Sequence, residues 1–280
     1  MKTVAIAGVG LIGGSFGLAL RKAGFAGEIL GVSSPSAIEA GVANGAISRS
    51  ATLSEAAEIA DWIYLAQPVD RIIETLERLG PMARHGCLIT DAGSTKAEIV
   101  RCAERHITKA IFLGGHPLAG KEQRGAAWAD GDLFRARPYV LTPLHGRTVE
   151  IEEFYEWLAH FGAQIVELSP AEHDRVVALT SHLPQLLATA LANTLARQNN
   201  QHIQEIFGPG LLDMTRLALS SPDLWTSILA TNREYVLEAL EEFAKSLNEL
   251  RDGIAEGALE HSFRTAASFA LRLRNLPSGK

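Results

Sequence analysis

The run Val4-Ala5-Ile6-Ala7-Gly8-Val9-Gly10-Leu11-Ile12-Gly13 decides the fold. Four small and branched apolar residues bounded by glycine read as a short buried strand. Beyond Gly10, Leu11, Ile12, Phe16, Leu18, Ala19 and Ala23 recur at helical spacing. G-x-G-x-x-G alone is a weak pattern. With a strand before it and an amphipathic helix after it, the pattern has the context of a dinucleotide-binding turn. Gly8 then serves the tight turn, Gly10 lets backbone approach a pyrophosphate, and Gly13 lets helix and strand pack closely. The helix opened by Leu11 and Ile12 offers unpaired N–H groups and its positive end to phosphates. The plain alternative is a glycine-rich turn without a ligand.

Outward from this turn, strand-like and helix-like segments alternate. Ile29-Leu30-Gly31-Val32, Trp62-Ile63-Tyr64-Leu65-Ala66, Cys87-Leu88-Ile89-Thr90, Ile111-Phe112-Leu113, Tyr139-Val140-Leu141-Thr142 and Gln164-Ile165-Val166 are short apolar runs. They read as strands buried on both faces, as in a parallel sheet. Helical spacing occupies 11–23, 35–44, 69–79, 96–105 and 150–161. Residues 1–168 are therefore expected to form an α/β, Rossmann-type, doubly wound domain that binds a dinucleotide. After Ser169-Pro170 the β-branched runs stop, and Leu, Ala, Glu and Arg dominate. Residues 169–280 read as an all-α domain, interrupted at Gly208-Pro209-Gly210 and Ser221-Pro222-Asp223. Its long apolar stripes predict a homodimer, and the tail 276–280 is expected to fray.

The chain has 280 residues, 47% hydrophobic and 21% charged, with a net charge of −6. That length suits two domains, and the acidic balance with scattered Lys and Arg excludes a nucleic-acid scaffold. No stretch is apolar for long enough to span a membrane. Lys2 leads straight into the first strand-like run, with no signal-peptide pattern. Cys87 and Cys102 are the two cysteines, which implies neither a disulfide framework nor a cysteine-based zinc site, and no metal is expected. A reducing cytoplasm is the natural compartment.

The end of the second strand-like run bears on the cofactor. An acid there would bind the adenosine ribose hydroxyls of NAD and repel the 2′-phosphate of NADP. The sequence has Ser33, Ser34, Pro35 and Ser36 instead, with no acid and no adjacent arginine. This leans towards NADP, or towards use of both.

Two later loops carry candidate chemistry, Asp91-Ala92-Gly93-Ser94-Thr95-Lys96 and Gly114-Gly115-His116-Pro117-Leu118-Ala119-Gly120-Lys121-Glu122. Oxidising an alcohol requires a proton acceptor, and histidine suits that near neutral pH. His116 is the candidate, set among glycines and a proline at the carboxyl end of a strand. Ser94 either orients a hydroxyl or caps the helix that follows. His182 precedes Pro184, which should kink its helix. His182 is as readily a satisfied core histidine. Arg216 has Leu212 and Leu219 at i−4 and i+3, which puts it on an apolar stripe. There it should meet a carboxylate, its own neighbour Asp213 or a substrate's, or snorkel to solvent.

These stretches, with Gly14-Ser15, His173-Asp174, Ser181-His182-Leu183-Pro184 and Asp213-Met214-Thr215-Arg216, resemble the prephenate/arogenate dehydrogenase family in order and over nearly the whole chain. The resemblance implies a Rossmann domain followed by a helical dimerisation domain, with the active site in the cleft between them. It makes His116 the catalytic histidine and Ser94 its partner. Arg216 becomes the ligand of the substrate's ring carboxylate, His182 a residue of the cleft, and Glu122 an acid near its entrance. Gln185 stands where many members carry a second histidine, near the substrate's side chain, which leaves prephenate and arogenate both open. The implied reaction is NAD(P)-dependent oxidative decarboxylation in tyrosine biosynthesis. His116 accepts the 4-hydroxyl proton, hydride leaves C4 for the nicotinamide, and CO2 departs as the ring aromatises. Two other readings compete. A hydroxy-acid dehydrogenase of the β-hydroxyacid kind would lean on a lysine of the helical half, where only Lys245 and Lys280 occur. A dinucleotide sensor would need the glycine turn without His116 or Arg216.

Overall fold

The computed structural model describes residues 2–144 and 146–275, so the tail 276–280 lies outside the described residues. Among the described residues, one sheet is built from β1 (Thr3–Ala7), β2 (Glu28–Val32), β3 (Arg49–Ser50), β4 (Trp62–Leu65), β5 (Leu88–Asp91), β6 (Ile111–Pro117), β7 (Pro138–Pro143) and β8 (Gln164–Glu167). Their order across the sheet is β3-β2-β1-β4-β5-β6-β7-β8. The connecting helices are α1 (Leu11–Lys22), α2 (Pro35–Ala43), α3 (Leu53–Ile59), α4 (Val69–Met82), α5 (Ala97–His106) and α6 (Val149–His160). The winding reverses on either side of β1, which places the start of α1 at the switch point of a Rossmann-type sheet.

The core explains why these segments pack as they do. Val4, Ala5 and Ile6 of β1 are fully buried, as are Ile63, Tyr64 and Leu65 of β4. Phe16 of α1 stacks on Tyr64 with ring centroids 3.9 Å apart. The two buried hydroxyls of Tyr64 and Tyr139 satisfy each other at 3.1 Å. Burying aromatic side chains supplies much of a core's stabilisation, provided that their polar ends find partners.

Three local features depart from expectation. β7 runs antiparallel to β6, pairing His116 with Val140. Between β6 and β7 the only regular element is a three-residue 3-10 turn, Ala126–Trp128, so no crossover helix carries the chain back for a parallel return. β8 is not buried on both faces, because it forms the sheet edge with Gln164, Val166 and Glu167 exposed. Finally, β3 and α3 fill a stretch without a clear periodic signal. The Thr52 hydroxyl caps α3 by accepting from the Glu55 N–H at 3.1 Å.

The chain divides into two compact units, Met1–His173 and the part from Asp174 onward. The division falls inside α7 (Pro170–Val177). Among its described residues the second unit is purely helical, with α8 (Leu183–Ala196), α9 (Pro209–Thr215), α10 (Pro222–Thr231), α11 (Arg233–Glu256) and α12 (Glu260–Asn275). Pro209 and Pro222 sit in the first turns of α9 and α10, where a missing N–H costs nothing. Before Pro184 the helix does not simply kink. Ala178–His182 widen into one π turn, which takes up the backbone disturbance caused by the proline. No described helix is long and apolar enough to cross a membrane.

Candidate active site

At the switch point, the carboxyl ends of β1, β2 and β4 open onto a cleft of about 870 Å³ lined by Gly8, Gly10, Ser33, Ser34, Ser36 and Arg71, among others. Gly8 has φ +95°, a conformation suited to glycine, and makes the turn out of β1. A Cβ on Gly13 would strike the Gly8 carbonyl oxygen and lie 2.9 Å from Ile6 Cγ2, so glycine is what lets α1 sit on β1. Beside Gly10 the space is open. Leu11 and Ile12 are half-buried and pack on the core, so their side chains serve the helix while its N-terminus faces the turn. This backbone cradle, with no carboxylate among the lining residues, fits a dinucleotide phosphate group. Ser33, Ser34 and Ser36 have no arginine beside them in sequence, but the fold brings Arg71 from the first turn of α4 to the same cleft.

A second arrangement lies at the ends of β5 and β6. Asp91 and Lys96 are fully buried and form an ion pair. Asp91 Oδ2 also accepts from the Gly93 N–H at 2.8 Å, and Oδ1 from the Gly115 N–H at 3.1 Å. Lys96 Nζ donates to the Gly115 carbonyl at 2.6 Å. A pair removed from water is tolerable only when its remaining hydrogen-bonding capacity is used, and here it is used on the backbone next to His116. Ser94 is half-buried within the loop tied down by this pair. It does not cap α5, since the cap position falls two residues later at Lys96.

His116 lies inside β6, not in a loop after it, because β6 continues through Pro117 by pairing with β7. The ring is half-buried. Its Nδ1 lies 2.8 Å from Nε2 of His173, whose residue is fully buried. His173 stands in the first turn of α7, which opens with a reciprocal capping box. The Glu172 N–H donates to Ser169 Oγ at 3.2 Å, and the Ser169 N–H to Glu172 Oε2 at 3.1 Å. Glu122 is exposed on the segment after β6.

The remaining candidates lie in the helical unit. His182 is buried in the π turn, with the Trp225 ring edge-on at 5.8 Å. Asn232 Nδ2 donates to the Asp174 carbonyl at 2.7 Å and lies 3.2 Å from His182 Nδ1. An amide nitrogen only donates, so His182 Nδ1 accepts and its proton sits on Nε2. Gln185 is buried one turn further on, and its Oε1 has no hydrogen-bond partner. Arg216 is not on a buried apolar stripe. α9 ends at Thr215 and the chain tightens into a 3-10 turn, Arg216–Leu219, so the i−4 and i+3 positions no longer share one α-helical face. Leu212 and Leu219 are exposed, as is Arg216. This turn packs on α8, the helix that carries Gln185.

Sequence reasoning gave no role to Asp91, Lys96, Arg71, His173 or Asn232. A carboxylate ending a buried strand was a usable signal for Asp91. Nothing local marks Asn232. Among the described residues, Glu77, Cys102 and His106 bring potential metal ligands within 4.8 Å of one another, away from these sites. The Cys102 thiol donates to the Ile73 carbonyl and burial pushes its pKa up, which favours the protonated thiol over a metal-binding thiolate.

The family model for the prephenate dehydrogenase nucleotide-binding domain matches residues 16–167, and that for the prephenate dehydrogenase dimerization domain matches residues 169–267. A prephenate dehydrogenase of Lactococcus lactis subsp. cremoris is 37% identical over 271 residues, covering 94% of this chain and 75% of its own length. The crystal structure of prephenate dehydrogenase from Aquifex aeolicus with hydroxyphenyl propionate and NAD+ superposes with a TM-score of 0.90 at 31% identity, covering 99% of this chain and 98% of that one. Synechocystis arogenate dehydrogenase does so with a TM-score of 0.82 at 29% identity, covering 98% and 99%. With both domains matched in order and relatives aligned over almost its whole length, this chain belongs to the prephenate dehydrogenase family of oxidoreductases.

Proposed function

We propose that the chain oxidises and decarboxylates prephenate, arogenate or both, with NAD or NADP as acceptor. The relatives named for these two substrates support the class of substrate. A nicotinamide dinucleotide, when bound, supplies the acceptor for the hydride that leaves ring C4. His116 takes the proton of the 4-hydroxyl. For this its Nδ1–H donates to His173 Nε2, and its Nε2 is the nitrogen assigned to the 4-hydroxyl proton. The same contact then stabilises the imidazolium, because a hydrogen bond to a charged donor is the stronger kind. Ser94 orients the hydroxyl. Loss of CO2 restores an aromatic ring, so the protein has chiefly to align the substrate and accept a proton. Arg216 holds the ring carboxylate through its planar fork without neutralising it. His182, with its proton on Nε2, donates to the substrate, while Gln185 and Glu122 shape the side-chain end. The observation that carries this reading is the 2.8 Å contact between His116 and His173, which ties the half-buried His116 ring to a buried histidine.

Three serine side chains and no carboxylate at the adenosine end of the cleft support NADP as an accepted cofactor. In the helical unit Phe263, Phe269, Leu271 and Leu273 of α12 are all more than half exposed, which supports a homodimer that covers them. The two buried free thiols suit a reducing cytoplasm. The deciding assay offers prephenate and arogenate, each with NAD and NADP, and follows absorbance of the reduced nicotinamide. Reduction with either substrate supports the reading, and none with all four pairs overturns it. Light scattering should give twice the chain mass at micromolar concentration, and a monomer there removes the dimer.

A further inference from the structure

We propose that Arg71 is the cation of a 2′-phosphate subsite completed by Ser33, Ser34 and Ser36, which gives the dinucleotide cleft its preference for NADP. This rests on the reading of the cleft as a dinucleotide site. The glycine turn after β1 lies between two arms, the end of β2 and the start of α4, because β2 and β4 flank β1 in the sheet. The first arm presents Ser33, Ser34 and Ser36 to the cleft, with Ser34 Oγ 3.4 Å from Ser36 Oγ. The second presents Arg71, the third residue of α4.

Hydroxyls alone are neutral and cannot balance a phosphate dianion. A guanidinium can, and its planar fork matches phosphate oxygens. The position just after β2, where an acid would claim the ribose hydroxyls, holds Ser33, and no carboxylate lines the cleft. Arg71 Nη1 pairs with Glu74 Oε2 at 2.7 Å, with both side chains more than half exposed. An exposed pair of this kind is weak, so a dianionic group can draw the guanidinium away from it. The subsite is thus divided between two segments far apart in the chain, and neither segment alone carries a phosphate-binding pattern.

The test measures binding without turnover. Isothermal titration calorimetry on the full chain would compare 2′,5′-ADP with 5′-AMP, two probes that differ only in the 2′-phosphate. The wild-type chain should bind 2′,5′-ADP more tightly, by about tenfold or more for a charge-assisted contact. In Arg71→Ala that ratio should collapse towards one, and Arg71→Lys should restore part of it. Raising the salt should narrow the ratio in the wild type and leave it unchanged in Arg71→Ala. Equal binding of the two probes by the wild type, or an unchanged ratio in Arg71→Ala, overturns the subsite while leaving the dinucleotide site intact. Binding of neither probe overturns the dinucleotide reading and the subsite with it.

Discussion

The rings of His116 and His173 stand 5.0 Å apart at 71° to each other, with His116 Nδ1 2.8 Å from His173 Nε2. The two residues come from different kinds of element, a strand strengthened by antiparallel pairing and the capped first turn of a helix. Both supports are rigid, which is what a positioned base requires.

His173 is then a positioning residue whose removal lowers kcat more than it raises KM. His173→Leu keeps the volume and loses the acceptor. Losing a hydrogen bond to a charged partner costs ~1.5–3 kcal/mol, so kcat should fall by about ten- to a hundredfold. His173→Gln, whose amide oxygen accepts, should recover part of that loss. Steady-state kinetics beside thermal melts decide the matter, since a purely structural role would lower the melting temperature and leave kcat of the folded protein unchanged.

Asp91 and Lys96 predict a different pattern. Their side chains are fully buried, so removing one partner leaves an uncompensated charge in the core. Lys96→Met should destabilise the fold by ~3–5 kcal/mol in urea unfolding. The double variant Asp91→Asn with Lys96→Met should regain much of that stability, because no buried charge is left. Its kcat should stay low, since the clamp on the Gly115 backbone is gone. A double variant with normal turnover would show that the pair does not hold His116 in place.

The glycine turn and the order of the domains were legible because they rest on local rules. Gly8 makes a turn at φ +95°, Gly13 has no room for a Cβ, and buried strands alternate with helices. The direction of β7 was not read, although the missing helix between Pro117 and Pro138 was the available sign. Arg71 was invisible beside the serines because only sheet order brings α4 to the end of β2. The apolar stripe expected around Arg216 fails for a related reason. Periodicity assumes one continuous α-helix, and the change to a 3-10 turn after Thr215 rotates Leu219 out to solvent.

The pH dependence of stability should carry a signature of Cys87. Burial pushes its thiol from 9.0 up to about 12, with Arg84 pulling it down and Asp61 pushing it further up. The unfolded chain therefore loses this proton at a pH where the folded chain keeps it. The resulting stability is intact below about pH 9 and is lost as pH rises towards 12, at up to ~1.4 kcal/mol per pH unit. Urea unfolding of wild type and Cys87→Ala at about pH 8 and about pH 10.5 isolates the effect. The stability advantage of the wild type should shrink at the higher pH. An advantage independent of pH would mean that the thiol ionises equally in both states.

Arg216 decides how the substrate is held. If it binds the ring carboxylate as proposed, Arg216→Ala should raise KM by about ten- to a hundredfold, the equivalent of losing a charge-assisted contact of ~1.5–3 kcal/mol. Dinucleotide affinity should change little, because the glycine cleft belongs to the other unit. Arg216→Lys should rescue only in part, since an ammonium cannot reproduce the planar fork. Added salt should raise KM in the wild type more than in Arg216→Ala, as expected for an exposed cation recruiting an anion. The competing role is a structural pair with Asp213, also exposed. Exposed pairs contribute ~0–1 kcal/mol, so that role predicts a small drop in melting temperature, a similar one for Asp213→Ala, and no change in KM. An unchanged KM in folded Arg216→Ala would therefore remove Arg216 from the substrate site.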